Sequence, residues 1–186
     1  MSTDYASLTG DYTFDVAHST VGFIARHAMV TKVRGGFNEF EGEIHIDGAN
    51  PEKSSAEASV KVASVDTRNE QRNGHLLSGD FFEQDKFPDM TFKSTGITAK
   101  GEDQFVLKGD LTVKDVTRSV DFDVEFLGTT VDPYGNTRIG FEAKTSVSRK
   151  DFGMTWNAAL ETGGVLVSDK IVLEFEISLI KTSTDA

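Results

Sequence analysis

The sequence contains no cysteine, only three prolines and no long uncharged apolar run. The lack of cysteine excludes disulfides, thiolate metal sites and cysteine nucleophiles. A charged residue interrupts each hydrophobic stretch within a few positions. Because a helix that crosses a bilayer needs roughly 20 apolar residues, no stable membrane insertion is expected.

Positive charge is also scarce. The chain has 19 Lys+Arg against 30 Asp+Glu, which gives a formal net charge of −11, and its basic residues never form a run longer than a pair. This balance argues against a surface that follows nucleic-acid phosphates or an anionic membrane. Nucleic acid is therefore not an expected partner.

The first nine residues lack the features of a secretory signal. They contain no basic region, no apolar run and no small-residue cleavage pattern. We predict a mobile leader over residues 1–9, a single domain over residues 10–182 and a cytoplasmic location. With 186 residues, 38% of them hydrophobic, and 14 phenylalanines, the chain is long and apolar enough to bury the core of one domain.

The dominant hydrophobic period is two residues. Residues 120–126 alternate apolar and acidic side chains without a miss, which is typical of a strand with one buried face. Similar alternation recurs in residues 12–16, 21–25, 58–62, 105–113, 141–147 and 171–179. Such strands, separated by turn residues, predict antiparallel sheet in a sandwich or a barrel, and about eight of them can close into a barrel that holds one slender ligand.

One segment departs from this period. Thr67 and Glu70 have the spacing of a capping box, and Gly79 closes the segment, so a short helix over about 68–78 is predicted. It would cover one end of the barrel.

Catalytic and metal-binding patterns are weak. The four histidines (His18, His27, His45 and His75) lack the spacing of residues that bind a metal ion, and the paired glycines lack the Lys-Ser/Thr of a phosphate-binding loop. Polar residues around the predicted helix offer an acid and a base, but helix caps and exposed ion pairs are the favoured explanation of such a mixture. No catalytic residue, metal or cofactor is predicted, and the chain is not expected to be an enzyme.

The interior has two interpretations. Large and small side chains both fall on the apolar faces, so their volumes do not decide between a packed core and a hollow one, and the pattern alone slightly favours packing. His27 continues the inward phase of Val21, Phe23 and Ala25, and it is either a core histidine with a hydrogen-bond partner or a ligand contact. Trp156, in an irregular loop, either seals the core or lines a pocket.

The order of several motifs resembles a known family. The motifs are Asp15-x-x-His18-Ser19-x-Val21-x-Phe23 with His27, Gly36-Phe37-x-x-Phe40-x-Gly42, Arg72-x-x-His75-Leu76 with Asp80-Phe81-Phe82, Phe87-Pro88-x-Met90-x-Phe92, the segment from Gly109 to Thr117, and Arg149-x-Asp151-Phe152-Gly153. In this order they resemble the YceI family of bacterial proteins, over about residues 10–181.

The resemblance implies an all-β fold, an elongated antiparallel eight-stranded lipocalin-like barrel with the one short helix. It also implies non-enzymatic binding, storage or transport of a long-chain polyisoprenoid or fatty amphiphile, such as an isoprenoid quinone precursor, in an apolar tunnel. The hollow interior then becomes the first interpretation. A cytoplasmic lipid carrier or reservoir that responds to stress is the expected role.

Strand phase assigns the residues of this tunnel. The predicted lining is Phe23, Ala25, Phe37, Phe40, Phe92, Leu107, Leu111, Phe122, Val124, Phe141, Trp156, Leu173 and Phe175. His27, Arg72 and His75 are the predicted polar mouth. Two alternatives stay open, an enzyme that acts on an amphiphile at the mouth and a broad scavenger of hydrophobic compounds. A homodimer is compatible with the sequence, which shows no interface.

Overall fold

Alternating strands account for most of the structure, a computed structural model that describes residues 4–161 and 164–183. Within these residues the chain forms eleven strands and one α-helix. The strands are β1 (Gly10–Phe14), β2 (Thr20–His27), β3 (Thr31–Phe37), β4 (Phe40–Ile46), β5 (Ser55–Lys61), β6 (Val65–Asp66), β7 (Asp89–Ala99), β8 (Gln104–Val113), β9 (Val116–Val131), β10 (Thr137–Ser148) and β11 (Lys170–Ser183). The helix, α1, spans Glu70–Leu77.

The strands form one antiparallel sheet that closes into a barrel. Its order is β1-β4-β5-β7-β8-β9-β10-β11, and β11 pairs back with β1. The predicted eight-stranded antiparallel barrel with a short helix is thus confirmed, with β2, β3 and β6 as additional strands. Closure removes the free edges that would otherwise pair with other chains.

Two breaks divide the barrel into a lower and an upper half. The chain leaves β1 through a 3₁₀ turn at Val16–His18 before β2, and only residues 38–39 separate β3 from β4. β11 therefore pairs with β1 through its C-terminal half and with β2 through its N-terminal half. In the upper half, the two-residue β6 pairs with β3 and with no further strand among the described residues.

This missing pairing leaves a seam in the upper wall, between β6 and β7. The helix α1 and the segment 78–88 lie between these two strands in the chain, and Phe82 from this segment contacts Phe37 of β3, with ring centroids 5.7 Å apart. The lower half is a continuous ring of strands, whereas the seam is filled by side-chain packing.

The start of α1 differs from the predicted capping box. Asn69, not Thr67, is the N-cap, and its side-chain oxygen accepts a hydrogen bond from the Arg72 amide at 2.9 Å. The Thr67 hydroxyl instead donates to Asn73 Oδ1 at 2.6 Å and is buried. Both residues are good N-caps, but positive φ at Arg68 turns the chain so that Asn69 reaches the free amides.

Two clusters of buried hydrophobic side chains lie at the two ends of the barrel. Leu8, Tyr12, Phe126, Ile139 and Leu179 form the lower cluster. Val113, Phe152 and Met154 form the upper cluster. The middle of the barrel lies between them.

The segment before β1 belongs to the lower cluster. Residues Tyr5–Leu8 form a 3₁₀ turn, Leu8 is buried, and the Tyr12 hydroxyl donates to the Leu8 carbonyl at 2.8 Å. Of the residues predicted as a mobile leader, Tyr5–Leu8 thus lie against the lower end of the barrel, where two apolar side chains of this turn, Tyr5 and Leu8, line its interior. Residues 1–3 of the predicted leader lie outside the described residues.

An ion-pair network joins the β9–β10 turn to the break after β1. Arg138 donates from Nε to Asp132 at 2.7 Å and from its terminal nitrogen to Asp15. The hydrogen bond from Arg138 to Asp132, together with the one from the backbone amide of Asn136, holds the pKa of Asp132 well below its usual range.

The lowered pKa of Asp132 predicts how stability depends on pH. The folded state binds protons less tightly than the unfolded state, so this stabilisation is fully present above about pH 4, the unfolded pKa, and is lost as the pH falls toward the folded pKa. We expect Arg138→Gln to flatten the fall in stability below pH 4, measured by urea unfolding at several pH values. Lys144→Gln, which removes a more exposed ion pair with Glu174 at 3.3 Å, serves as the control. An unchanged slope in Arg138→Gln would contradict the assignment.

Candidate functional site

A cavity runs through the barrel between the two clusters. Its volume is about 380 Å³, within the range of roughly 300–1,000 Å³ found for small-molecule sites. Its lining extends from Leu8 at the lower end to Met154 at the upper end. The interior is therefore hollow, and the alternative of a solidly packed core is not observed.

All of the predicted lining residues except Trp156 line this cavity. They are Phe23 and Ala25 on β2, Phe37 on β3, Phe40 on β4, Phe92 on β7, Leu107 and Leu111 on β8, Phe122 and Val124 on β9, Phe141 on β10, and Leu173 and Phe175 on β11. Strand phase found them because a closed barrel turns one face of each strand inward.

Aromatic rings dominate the middle of the wall. Phe122 lies between Phe92 and Phe175, with ring centroids 5.5 Å and 5.2 Å away, and it is 3% exposed. Phe92 meets Phe122 edge to face at 90°. Such contacts fix the rings against one another, so the cavity has a rigid aromatic girdle around its middle.

Glycines lie beneath two phenylalanine rings of the cavity wall. A Cβ atom added at Gly109 would overlap the ring of Phe92, and one added at Gly35 would overlap the ring of Phe23. Each glycine belongs to the strand next to its phenylalanine. The missing side chain lets the ring lie flat against the sheet instead of projecting into the cavity.

Gly109 should consequently not tolerate a side chain. We expect Gly109→Ala to lower the free energy of unfolding by about 1–3 kcal/mol, the usual cost of overpacking, because its Cβ would also lie 2.7 Å from the Lys93 carbonyl oxygen. The measurement is urea unfolding. The matched control is Gly96→Ala on β7, where an added Cβ meets nothing within 4 Å. Equal stability of the two variants would show that the ring does not depend on this glycine.

Irregular segments cover the two ends of the cavity. At the lower end the Tyr5 hydroxyl donates to the Glu102 carbonyl at 2.9 Å and to the Asp103 carboxylate, and the Tyr5 ring contacts Phe105 and Phe126. At the upper end Leu76 of α1 and the neighbouring Phe81 join the lining. These elements, which are not strands, complete the cavity.

Arg149 is the buried charged residue of the upper end. It is 4% exposed, it lines the cavity, and burial lowers the pKa of its guanidinium. Its nitrogens donate to the carbonyls of Ser168 and Met154 at 2.8 Å, of Trp156 at 2.9 Å and of Val167 at 3.3 Å. This one side chain thus joins the beginning of the loop between β10 and β11, at residues 154–156, to its end, at residues 167–168.

Sequence reasoning missed Arg149 as a site residue, although it begins the last of the quoted motifs. It also missed lining residues that the alternating pattern does contain, namely Phe14, Phe105 and Phe126. Their inward phase was the available signal. Tyr5 and Leu8 carried no such signal, because they precede the first strand.

Trp156 and the residues predicted as the polar mouth do not line the cavity. Trp156 contacts the His75 ring at 4.7 Å and the Phe81 ring at 5.4 Å, so it packs behind the lining. His27 is exposed, contrary to its inward phase, because β2 ends at this residue and the chain turns away from the barrel.

Arg72 and His75 face the surface of the upper end. Arg72 donates to the Thr67 hydroxyl at 2.9 Å and to the Thr67 carbonyl at 2.5 Å. His75 Nε2 is 2.9 Å from Asp80 Oδ2, and both side chains are partly exposed. The structure brings His75 and Trp156 together, while Arg72 and His27 each make separate contacts.

The chemistry available to the cavity is mainly that of apolar contact. Its wall consists almost entirely of aromatic and aliphatic side chains, with Asp47, Ser54 and Ser55 at the lower end and Arg149 at the upper end. Over residues 4–161 and 164–183, the structure shows no group of three or more His, Asp or Glu side chains suited to a metal ion. In the same residues, no helix has the length and apolar character needed to span a membrane.

Comparison with known proteins gives relatives of similar length. UPF0312 protein SA2479 of Staphylococcus aureus (strain N315) is 38% identical over 165 residues, which cover 88% of this chain and 94% of that protein. The YCEI protein of Campylobacter jejuni superimposes with a TM-score of 0.74 at 29% identity, covering 85% of this chain and 90% of that one.

A more distant structure has the same fold. A polyisoprenoid binding domain from Saccharophagus degradans, implicated in plant cell wall breakdown, has a TM-score of 0.69 at 16% identity and covers 92% of this chain and 98% of that one. The family model of the YceI-like domain matches residues 12–179, from the first strand to the last. The motif order, the closed barrel and this match agree, and the chain belongs to the YceI-like family.

Proposed function

We propose that the barrel binds a long-chain polyisoprenoid or a similar amphiphilic lipid, such as an isoprenoid quinone precursor, and holds it without changing it chemically. The observation that carries this proposal is the continuous apolar cavity along the barrel, ringed by phenylalanines. The polyisoprenoid binding domain with the same fold supports the choice of ligand class.

The driving force is transfer of the chain out of water. Burial of each methylene contributes about 0.8 kcal/mol, so a chain that runs past Phe141, Phe122 and Leu111 gains affinity with each added unit until the cavity is full. The lining residues on β2 to β11 named above are the proposed tail contacts. Affinity should therefore rise with chain length and then level off.

The proposed position of the head group is the upper end. Arg72 and His75 lie on α1 with Leu76, which lines the cavity, and His27 pairs with Val167, another lining residue. These polar side chains are the nearest of the predicted mouth residues to the apolar lining, and an amphiphile requires polar atoms beside its tail site.

The hydrogen bonds of Arg149, the charged side chain at the upper end of the lining, support binding of the lipid without a chemical reaction. Four of the five N–H donors of Arg149 are occupied by backbone carbonyls, so the guanidinium is held by the loop rather than directed at a reacting group. The cavity offers a place for a chain but no paired acid and base along it.

The test is to extract the purified, untagged protein with organic solvent and to identify the extract by mass spectrometry, alongside a native mass spectrum. A near-stoichiometric long-chain isoprenoid is expected. A panel of added lipids then compares chain lengths and head groups, and a shallow preference across the panel would favour a broad scavenger instead. Protein that is empty and takes up none of the panel would overturn the proposal.

A further inference from the structure

The hairpin formed by β2 and β3 has a charge opposite to that of the chain as a whole. From residue 16 to residue 38 there is no Asp or Glu, while Arg26, Lys32 and Arg34 are all present. Arg26 and Lys32 are opposite one another in the strand register, and both are exposed. Arg34 is 3.5 Å from Glu174, and its side chain is 65% exposed.

The tip of this hairpin is apolar and open to solvent. Met29 is 57% exposed and Val30 is 76% exposed. Val165, from the loop between β10 and β11, is 38% exposed, and Met29 reaches to the adjacent Gly164. Two large side chains at a tip, with cations directly behind them, are typical of a segment that enters the headgroup region of a bilayer.

The backbone of the tip is held in an unfavourable conformation. Ala28 and Met29 have φ of 52° and 62°, and the Val30 amide donates to the His27 carbonyl at 3.1 Å. Positive φ at two successive residues is what a type I′ turn requires, and Asn-Gly is the favoured pair for such positions. Ala28 and Met29 therefore keep a strained backbone, and Met29 adds exposed apolar surface. Strain that a more favourable residue would relieve suggests that the residue is kept for a function.

The hairpin tip lies at the upper end of the cavity. Val167 lines the cavity and bridges to His27, the last residue before the tip. Asn157 bonds both the Val167 carbonyl, at 2.8 Å, and the Val167 amide, at 3.0 Å. A surface in contact with Met29 and Val30 would therefore lie beside the upper end of the cavity.

We infer that this hairpin docks the barrel on an anionic lipid bilayer, with Met29 and Val30 in the headgroup layer and Arg26 and Lys32 against the lipid phosphates. The inference rests on the proposed function, because docking serves the collection and release of lipid. The net charge of −11 argues against attraction of the whole surface to an anionic membrane, but charges more than about 8–10 Å from the tip are largely screened at physiological salt, so the basic hairpin acts locally. The described part of the neighbouring loop tip adds one carboxylate, Glu161.

The test is vesicle flotation with phosphatidylcholine, alone or mixed in equal parts with phosphatidylglycerol. The protein should float with the mixed vesicles and not with phosphatidylcholine alone, and added salt should release it. Replacing Arg26 and Lys32 with Glu should lower the partition coefficient by tenfold or more, since each basic residue near an anionic surface contributes about fivefold and two residues are changed.

The decisive variant changes the turn itself. Ala28→Asn combined with Met29→Gly suits the type I′ turn, so it should raise the thermal midpoint while lowering vesicle binding. Most variants that lose binding through misfolding would lose stability. The matched control replaces Val131 and Tyr134, exposed by 65% and 88% in the β9–β10 hairpin at the opposite end, with Ser. It should bind vesicles as the unchanged protein does.

Docking and lipid binding are separable in this design. Each protein is also tested for uptake of detergent-dispersed polyprenol. Uptake by the unchanged protein without any flotation would overturn the docking inference and leave the proposed function intact. Failure of uptake with intact flotation would overturn the proposed function alone. Equal flotation of the turn variant and the unchanged protein would also overturn docking at this hairpin.

Discussion

Replacing Ala143 with tryptophan is expected to abolish lipid binding while the barrel stays folded. Ala143 lines the cavity on β10, between Val124 and Phe175 of the neighbouring strands. A tryptophan side chain there projects into the space that the proposed ligand needs, and it finds apolar neighbours that stabilise it. The loss should exceed tenfold in lipid recovered per protein, measured by extraction and mass spectrometry.

The control for this variant lies one residue further along. Lys144→Trp places the same side chain on the outer face, where the lysine is 66% exposed. It should retain the full complement of lipid, and both variants should unfold as cooperatively as the unchanged protein. Lipid retained by Ala143→Trp would mean that the ligand lies elsewhere than in the middle of the barrel.

Arg149→Met should cause the largest loss of stability of any single change considered. The methionine fills much of the same volume but leaves four carbonyls, those of Ser168, Met154, Trp156 and Val167, without their donor. Hydrogen bonds to charged groups are each worth about 1.5–3 kcal/mol, and the cost of burying the guanidinium offsets part of their sum. We expect a loss of about 3 kcal/mol.

Urea unfolding measures this loss as a lower midpoint with an unchanged slope. Lys150→Met, at the exposed neighbour of Arg149, is the control and should stay within about 0.5 kcal/mol of the unchanged protein. Arg149→Lys should resemble Arg149→Met, because one ammonium does not reach all four carbonyls. A small effect in both Arg149 variants would show that the loop between β10 and β11 is held mainly by other contacts.

Strand phase made the barrel and most of the cavity wall predictable. Alternation at Phe122 and Val124 survives in the structure because each strand of a closed sheet has one inner face. The same rule fails where a strand stops. His27 has the right phase, but it is the last residue of β2, and the wall does not extend to its side chain.

Loop residues were less predictable because their positions depend on long-range contacts. Trp156 packs on His75, which is distant in sequence, and nothing in the loop itself indicates this partner. The role of Arg149 depends on carbonyls up to 19 residues away. The hollow centre also depends on where the rings of Phe92 and Phe23 lie, over Gly109 and Gly35. The total volume of the side chains does not indicate these positions.

Because of the seam between β6 and β7, the barrel has two kinds of wall, and we expect them to open at different rates. Separating two neighbouring strands elsewhere breaks a ladder of backbone hydrogen bonds, whereas β6 and β7 share no such ladder and the seam is filled by α1, Phe81 and Phe82. A cargo would therefore leave fastest at the seam, and its residence time would be set by α1 and its neighbours. The affinity for the cargo would be set by the rings of Phe92, Phe122 and Phe175. Separate mutations should therefore change the affinity and the rate of release.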